Sequence, residues 1–268
     1  MARFIQPIQN AGRKTAAKLK PLTKNIWIFF VILIALGGAQ AALFIQPIVG
    51  AYITGIAFAL LVGLALWKEK VRELAVSAAI LPAATMISLS LPQTTAFAQI
   101  TIFYVIILAL ALVYRFVLTL DYPLSRTSMS RRSYLYAIPL MIVIGEVLGA
   151  GGYGLLRHQY PFDHTALPLV AAALAVFAIA EEMMFRGLIQ QQGSLTLNAK
   201  VAAVLSAVLY TLYLFGHTGS WLSPLMGGIM GIVLAFVYYK KPNLLLTITL
   251  NMAAKLTYVG LMASFIFR

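Results

Sequence analysis

The sequence predicts an all-α protein, a polytopic bundle of transmembrane helices, and three observations support this fold class. Of the 268 residues, 62% are hydrophobic and only 10% are charged, whereas about 25% of the residues of a soluble domain are charged. The mean hydropathy is +0.91. Apolar runs of about 20 residues, the length of a helix that crosses the hydrocarbon core, recur along the chain. These features exclude a soluble globular protein and leave no stretch for a separate water-soluble domain.

The apolar runs define the expected elements in chain order. Nine windows suit a spanning helix, and eight is the alternative, because only a short stretch around Gln46 and Pro47 separates the first two. The windows cover 26–44, 48–67, 74–92, 97–116, 133–156, 166–190, 200–217, 223–239 and 243–267. We divide the chain into a basic tail at 1–24, N-terminal transmembrane helices at 25–130 and a C-terminal transmembrane core at 131–268.

The basic side chains gather in the segments on one side of this arrangement. Lys and Arg accumulate in cytoplasmic loops, so the pattern predicts a cytoplasmic N-terminus. The net charge of +13 makes anionic lipid headgroups an expected partner of the tail at 1–24, although a topology signal alone would also explain the tail. Nucleic acid is not expected, because the basic residues do not form a soluble face with stacking aromatics. The chain has no Cys, which excludes disulfides and a thiol nucleophile.

Polar side chains inside the predicted spans are the main functional signal. A charged group at the bilayer centre costs about 2.5–3.5 kcal/mol on insertion scales, so those that persist usually face the bundle interior and pair. All of them lie in the C-terminal half, while the first four spans contribute none, since Arg115 at the end of the fourth window belongs with the basic residues of the inner loops. The set consists of Glu146, Glu181, Glu182, Arg186 and Lys255, together with the uncharged His217 and Asn251. We therefore expect the C-terminal half to carry the chemistry.

Two adjacent acids and an arginine form the first cluster. Glu182 and Arg186 are separated by four residues, so they share a helix face and can form an ion pair. Glu181 lies about 100° away around the helix. A carboxylate in a low-dielectric site is a stronger base, which favours Glu181 as the chemical group and Arg186 as a structural one. The alternatives are that both acids only neutralise Arg186, or that the cluster lies at the inner membrane interface.

Two further helices carry the remaining polar residues. His217 follows Tyr213 by four residues, so both lie on one face, and with Glu181 the imidazole could polarise a water or ligate a metal. A histidine at a helix end is also commonly an interfacial residue. Lys255 lies one turn after Asn251 near the centre of its window, and Glu146 is its candidate counter-ion by depth.

The motif Glu181-Glu182-x-x-x-Arg186-Gly187, followed by Tyr213-x-x-x-His217 and a final helix with Asn251, resembles the CAAX protease and bacteriocin-processing (CPBP, or Abi) family of intramembrane endopeptidases. The similarity covers roughly residues 133–267. Its first motif is fairly specific. Its second is weaker, with Tyr213 where the family usually has Phe.

The resemblance implies roles for these residues. Glu181 and His217 would activate a water, while Glu182 and Arg186 would brace the site. The third motif departs from the family pattern, because Asn251 stands where a His is expected and Lys255 where an Asn or Asp is expected. Both can donate hydrogen bonds to an oxyanion, but neither replaces a His that handles protons or ligates metal.

The resemblance favours an intramembrane endopeptidase that hydrolyses a peptide bond of a membrane-associated protein or peptide with a glutamate-activated water. The alternative is a catalytically inactive relative that acts as a membrane scaffold or bacteriocin-immunity protein. A small transporter with Glu146 and Lys255 as a proton relay is a weaker third interpretation. The cofactor stays open between none and a divalent metal such as zinc. The expected location is a cell membrane, most simply the cytoplasmic membrane of a bacterium.

Overall fold

The computed structural model describes residues 26–91, 96–118, 129–156, 167–218 and 222–266. The regular elements within these ranges are helical, which confirms the all-α fold class. The α-helices are α1 (Ile26–Ile45), α2 (Pro47–Trp67), α3 (Arg72–Ser90), α4 (Ala96–Val113), α5 (Arg131–Leu156), α6 (Leu167–Glu182), α7 (Gln191–Thr196), α8 (Ala199–Thr218), α9 (Leu222–Lys240) and α10 (Leu244–Ile266). A 3₁₀ turn covers Glu69–Val71, and π-helices cover Tyr114–Leu118 and Met183–Gln190.

Each of the nine predicted windows contains one of the described helices, and the short α7 falls between two windows. Of the helices in the windows, six lie in segments long and apolar enough to cross a membrane, and three are shorter apolar helices. The six segments are Ile26–Ile45, Pro47–Trp67, Glu69–Ser90, Arg131–Gly154, Pro168–Thr196 and Leu244–Leu261. The chain is therefore a multi-pass membrane protein. The tail at 1–24 lies outside the described residues.

The first two windows are separate helices joined by a one-residue break. Gln46 has an extended backbone, and Pro47 starts α2 at a position where its missing N–H costs nothing. The two helices contact each other directly beside the break. A Cβ on Gly50 would lie 2.4 Å from the Cα of Leu43. The turn therefore requires glycine at position 50.

Three other glycines, the pair Gly145 and Gly149 and the single Gly231, bring helices into backbone contact. A Cβ on Gly145 would lie 2.5 Å from the carbonyl oxygen of Leu250, and one on Gly149 would lie 2.3 Å from that of Ala254. Small residues at this spacing let membrane helices approach closely, and they seat α5 against α10. Gly231 plays the same part between α9 and α8, where a Cβ would meet Tyr210 at 3.0 Å.

Most of the buried hydrophobic side chains that the structure describes form one large core, from Ile28 in α1 to Ala254 in α10, and Met183, Tyr238 and Leu244 form a second, small cluster. The helices of the N-terminal part and those of the C-terminal part therefore pack around the same interior. α6 and the π-helix that continues it lie in the middle of this interior, in contact with α4, α8 and α10. Every residue of the π-helix Met183–Gln190 is buried. π-helical turns are rare and occur often at functional sites.

Candidate active site

The carboxylate of Glu181 is the centre of a buried polar cluster. Its Oε1 accepts hydrogen bonds from the Tyr104 hydroxyl at 2.5 Å and from the Lys255 ammonium at 3.0 Å. Its Oε2 accepts from the Tyr210 hydroxyl at 3.0 Å and from the Asn251 amide at 2.9 Å. Glu181 is only 1% exposed. An ionised carboxylate offers about four acceptor positions, so these side chains fill its capacity.

The donors reach Glu181 from three helices that surround α6. Tyr104 comes from α4, and its ring stacks on that of Phe177 with 4.2 Å between centroids. Tyr210 comes from α8. Asn251 and Lys255 are one turn apart on α10, so they present their side chains on one face. The tertiary packing of four helices, rather than any local motif, therefore builds the site.

The second acid, Glu182, pairs with Arg186 as its spacing predicts. The two charged atoms are 3.3 Å apart, and both side chains are fully buried. Arg186 also donates to the carbonyl oxygen of Gly231 at 3.1 Å and lies 4.7 Å from the ring centroid of Tyr210. The Asn251 amide donates to Glu182 at 2.9 Å as well as to Glu181. This amide therefore ties the two carboxylates together.

The cluster contains two carboxylates and two cationic side chains, which form two ion pairs. Glu181 faces Lys255, and Glu182 faces Arg186. Burial of single charges is very costly, whereas paired and hydrogen-bonded charges are tolerated. The two acids do not share Arg186, so the first alternative interpretation of this motif is wrong. Because both acids are buried in protein, their charges are compensated by neighbouring side chains and not by interfacial water.

The prediction of an ion pair between Glu146 and Lys255 is wrong. The ammonium of Lys255 contacts Glu181, while the Glu146 side chain is exposed on α5 and makes no ion pair with any described residue. The two residues do lie at a similar level along the bundle, because Gly145 and Gly149 contact α10 between Leu250 and Ala254. Depth alone does not give the direction in which a side chain leaves its helix, and this direction selects the partner.

The side chain of His217 lies outside the described residues, so its predicted pairing with Glu181 stays a prediction. Its position is within α8, seven residues after Tyr210. Seven residues of α-helix rise by about 10 Å. Tyr213, which lies between Tyr210 and position 217 on α8, is buried and stacks on Phe103 with 5.4 Å between ring centroids. The Glu181 carboxylate is therefore level with Tyr210, and residue 217 follows two turns later.

Two tyrosines of the site were not identified from the sequence. Tyr210 carried a weak signal, because it lies one turn before Tyr213 on the same face of α8. Tyr104 carried none, since no charged residue lies near it in its span, and its hydrogen bond to Glu181 brings a residue of the first four spans into the cluster. Together with Tyr213, these residues surround Glu181 with aromatic side chains.

The donor set around Glu181 does not fit a metal ion. A cation would need lone pairs of the carboxylate, which already face the hydroxyls, the amide and the ammonium described above. Lys255, at 3.0 Å from Oε1, would also repel it. Among the residues described, no group of three His, Cys, Asp or Glu side chains is arranged to hold a metal. In this arrangement the positive charge next to Glu181 comes from a lysine.

One family model matches part of the chain. Residues 163–257 match the family model of the type II CAAX prenyl endopeptidase Rce1-like proteins. This segment contains Glu181, Glu182, Arg186, Asn251 and Lys255, whereas Tyr104 lies outside it. The resemblance of the C-terminal part to the CAAX protease family is thereby confirmed. No curated protein and no solved structure matches the chain significantly.

Proposed function

We propose that the protein is an intramembrane endopeptidase that hydrolyses a peptide bond of a membrane-associated protein or peptide. One observation carries the proposal: the Glu181 carboxylate, within the segment that matches the CAAX protease family, is buried among hydrogen-bond donors from three surrounding helices. Ionisable residues inside a membrane bundle are costly and mark functional sites. A buried carboxylate held by positioned donors suits a general base.

The resting arrangement needs one rearrangement before Glu181 can act. All its acceptor positions are occupied, so a donor must leave before Oε1 can accept a proton from water. Tyr104, Tyr210 and Asn251 are buried, while the side chain of Lys255 is 19% exposed and has the longest flexible stem. Lys255 is therefore the donor that can turn towards an incoming peptide carbonyl.

The movement of Lys255 would prepare both partners of the reaction. Its ammonium would polarise the carbonyl oxygen, and the released Oε1 would bind the attacking water. Glu181 would take one proton from this water as the oxygen attacks the carbonyl carbon. The oxyanion of the tetrahedral intermediate would face Lys255. Glu181 would then return the proton to the leaving amine as the C–N bond breaks, which restores the carboxylate.

The partners and location follow the same proposal. The substrate would reach Glu181 from the membrane, and the basic tail at 1–24 would contact anionic headgroups. A bacterial cytoplasmic membrane with the N-terminus inside suits the basic loops. The proposed step uses protein side chains alone, since the donor set around Glu181 does not fit a metal.

A second candidate is a catalytically inactive relative that binds a partner as a scaffold or immunity protein. The specific observation in its favour is the ion pair between Lys255 and Glu181, because it neutralises the proposed base. The altered third motif favours it too, since Lys255 stands where the family has Asn or Asp. The two candidates differ in whether Lys255 leaves Glu181 or blocks it.

The test is cleavage by the purified protein in liposomes that contain a mixture of bacterial membrane proteins and peptides. New termini are identified by mass spectrometry for the wild type, Glu181→Gln and His217→Ala. Glu73→Gln is a matched control, because the Glu73 carboxylate also accepts a hydrogen bond from a tyrosine, Tyr114. Tyr114 lies about 15 Å along the helix axis from Tyr104. The control pair is therefore separate from the cluster around Glu181.

Cleavage by the wild type and by Glu73→Gln, lost in Glu181→Gln, would support the peptidase. If His217→Ala is also inactive, the predicted role of His217 gains support. Specific termini that persist in Glu181→Gln would overturn the proposed base. No specific termini from well-folded wild type would favour the inactive relative.

A further inference from the structure

A third acid of the C-terminal spans, Glu146, lies at the level of the active site but outside it. Its neighbours Gly145 and Gly149 are pressed against the backbone of α10 between Leu250 and Ala254. Glu146 is therefore level with Ala254, the residue before Lys255. It also lies within the 24-residue apolar segment Arg131–Gly154, about 12 Å along the helix from the nearer end. A membrane around the bundle would have Glu146 within its hydrocarbon core.

The side chain of Glu146 points away from the bundle. It is exposed, and so are residues beside it on α5, among them Val143 at 54% and Val147 at 67%. This apolar surface is typical of a face that contacts lipid, whereas a water-filled chamber would have polar walls. The carboxylate is thus placed where hydrocarbon would otherwise surround it.

The described spans provide no counter-ion for Glu146. Their cations at this depth, Arg186 and Lys255, are paired with Glu182 and Glu181. Charged side chains inside a membrane almost always pair with one another or face a polar interior. A cation that meets Glu146 must therefore come from outside the described residues, and another membrane-spanning helix would supply one at this depth.

We propose that the face of α5 around Glu146 is a docking surface for a transmembrane helix of another protein that carries a Lys or Arg in mid-membrane. Ile142, Glu146 and Ala150 follow each other at intervals of four residues and form one exposed row. The small Ala150 allows a second helix to approach closely. A second copy of this chain fits less well, because two-fold packing of this face would oppose two Glu146 carboxylates.

The docking surface does not depend on the chemistry of Glu181. It can be tested with a synthetic Leu/Ala transmembrane peptide that has one Lys at its centre. Two matched peptides have Leu at the centre, or have the Lys moved to the end of the helix. Binding to the reconstituted protein is measured in liposomes by energy transfer between labels.

We expect the wild type to bind the central-Lys peptide at least about fivefold more tightly than either matched peptide, the effect of one polar contact between membrane helices. Glu146→Gln should remove this preference, and Ala150→Trp should weaken binding of the central-Lys peptide. Glu181→Gln should leave the preference unchanged, which separates this surface from the proposed peptidase. Both changes on α5 are at exposed positions, so folding should be retained.

Equal binding of the three peptides by the wild type would overturn the proposal. So would a preference that persists in Glu146→Gln. Self-association of the wild type that displaces the peptide and is lost in Glu146→Gln would identify a second copy as the occupant and would also contradict it.

Discussion

Glu181 and Glu146 are the same residue type at a similar level in the bundle, but Glu181 is surrounded by hydrogen-bond donors and Glu146 by apolar residues. Glu181 is buried and accepts hydrogen bonds from Tyr104, Tyr210, Asn251 and Lys255. Glu146 is exposed on α5, with glycines on its inner side and valines on its outer side. The comparison shows that helix rotation, and not depth, decides which acid becomes part of a site inside the bundle and which one is left for another molecule.

The strongest test of this contrast is the removal of Lys255. Lys255→Met would leave Glu181 as an unpaired buried carboxylate, which costs about 3–5 kcal/mol of unfolding free energy. The double variant Glu181→Gln/Lys255→Met should recover part of this loss. Glu146→Gln/Lys255→Met should show no such recovery. The measurement is reversible unfolding in detergent, analysed as two double-mutant cycles.

Equal coupling of Lys255 to both acids would contradict the contrast between them. Additive effects of Glu181→Gln and Lys255→Met would likewise argue against their ion pair.

The orientation of α5 can be tested through its glycines. Gly149→Ala would bring a Cβ to 2.3 Å from the carbonyl oxygen of Ala254, and overpacking of this kind costs about 1–3 kcal/mol. Gly151→Ala is the matched control, because a Cβ there meets nothing within 4 Å. It should be neutral or slightly stabilising. Thermal stability in detergent compares the two, and equal losses would mean that α5 does not face α10 through Gly149.

The contribution of the N-terminal helices to the site can be tested with Tyr104→Phe. This change removes one hydrogen bond to a charged acceptor and keeps the ring that stacks on Phe177, so we expect a loss of about 1.5–3 kcal/mol. Tyr136→Phe is a control at an exposed position of α5. Unfolding of both variants in detergent measures the difference. If Tyr104→Phe costs no more than Tyr136→Phe, the hydroxyl does not support Glu181.

The smallest effect is expected for Glu146→Gln. This exposed side chain makes no contact that stabilises the described part of the bundle, so the unfolding free energy should change by no more than about 0.5 kcal/mol. The same unfolding assay measures it. A loss as large as that of Lys255→Met would show that Glu146 has a partner within the chain.

The sequence predicted those features of the fold and the site that depend on local spacing. The recurring apolar runs identified the helices, and even the one-residue break at Gln46 was recognised as the boundary of two windows. The interval between Glu182 and Arg186 predicted their ion pair, because residues four apart share a helix face.

Rules of local spacing do not predict contacts between helices that are distant in the sequence. Tyr104 and Glu181 are 77 positions apart, and nothing near Tyr104 in the sequence marks it as a partner of a carboxylate. The partner of Lys255 depends on the rotation of α6 and α10 about their axes, which apolar windows do not define because these helices are hydrophobic on nearly all sides. The family resemblance indicated Glu181 and Asn251 as site residues, but not the hydrogen bond between them.

The role of Lys255 is tested most directly by peptide cleavage in liposomes with three proteins measured side by side: the wild type, Lys255→Met, and the double variant Asn251→His/Lys255→Asn, which restores the residues expected in the family. The proposed reaction predicts cleavage by the wild type and a loss of about 10²–10³-fold in Lys255→Met, as for removal of an oxyanion donor. An inert wild type together with an active double variant would contradict it, and would show that the residues at positions 251 and 255 keep the wild type inactive.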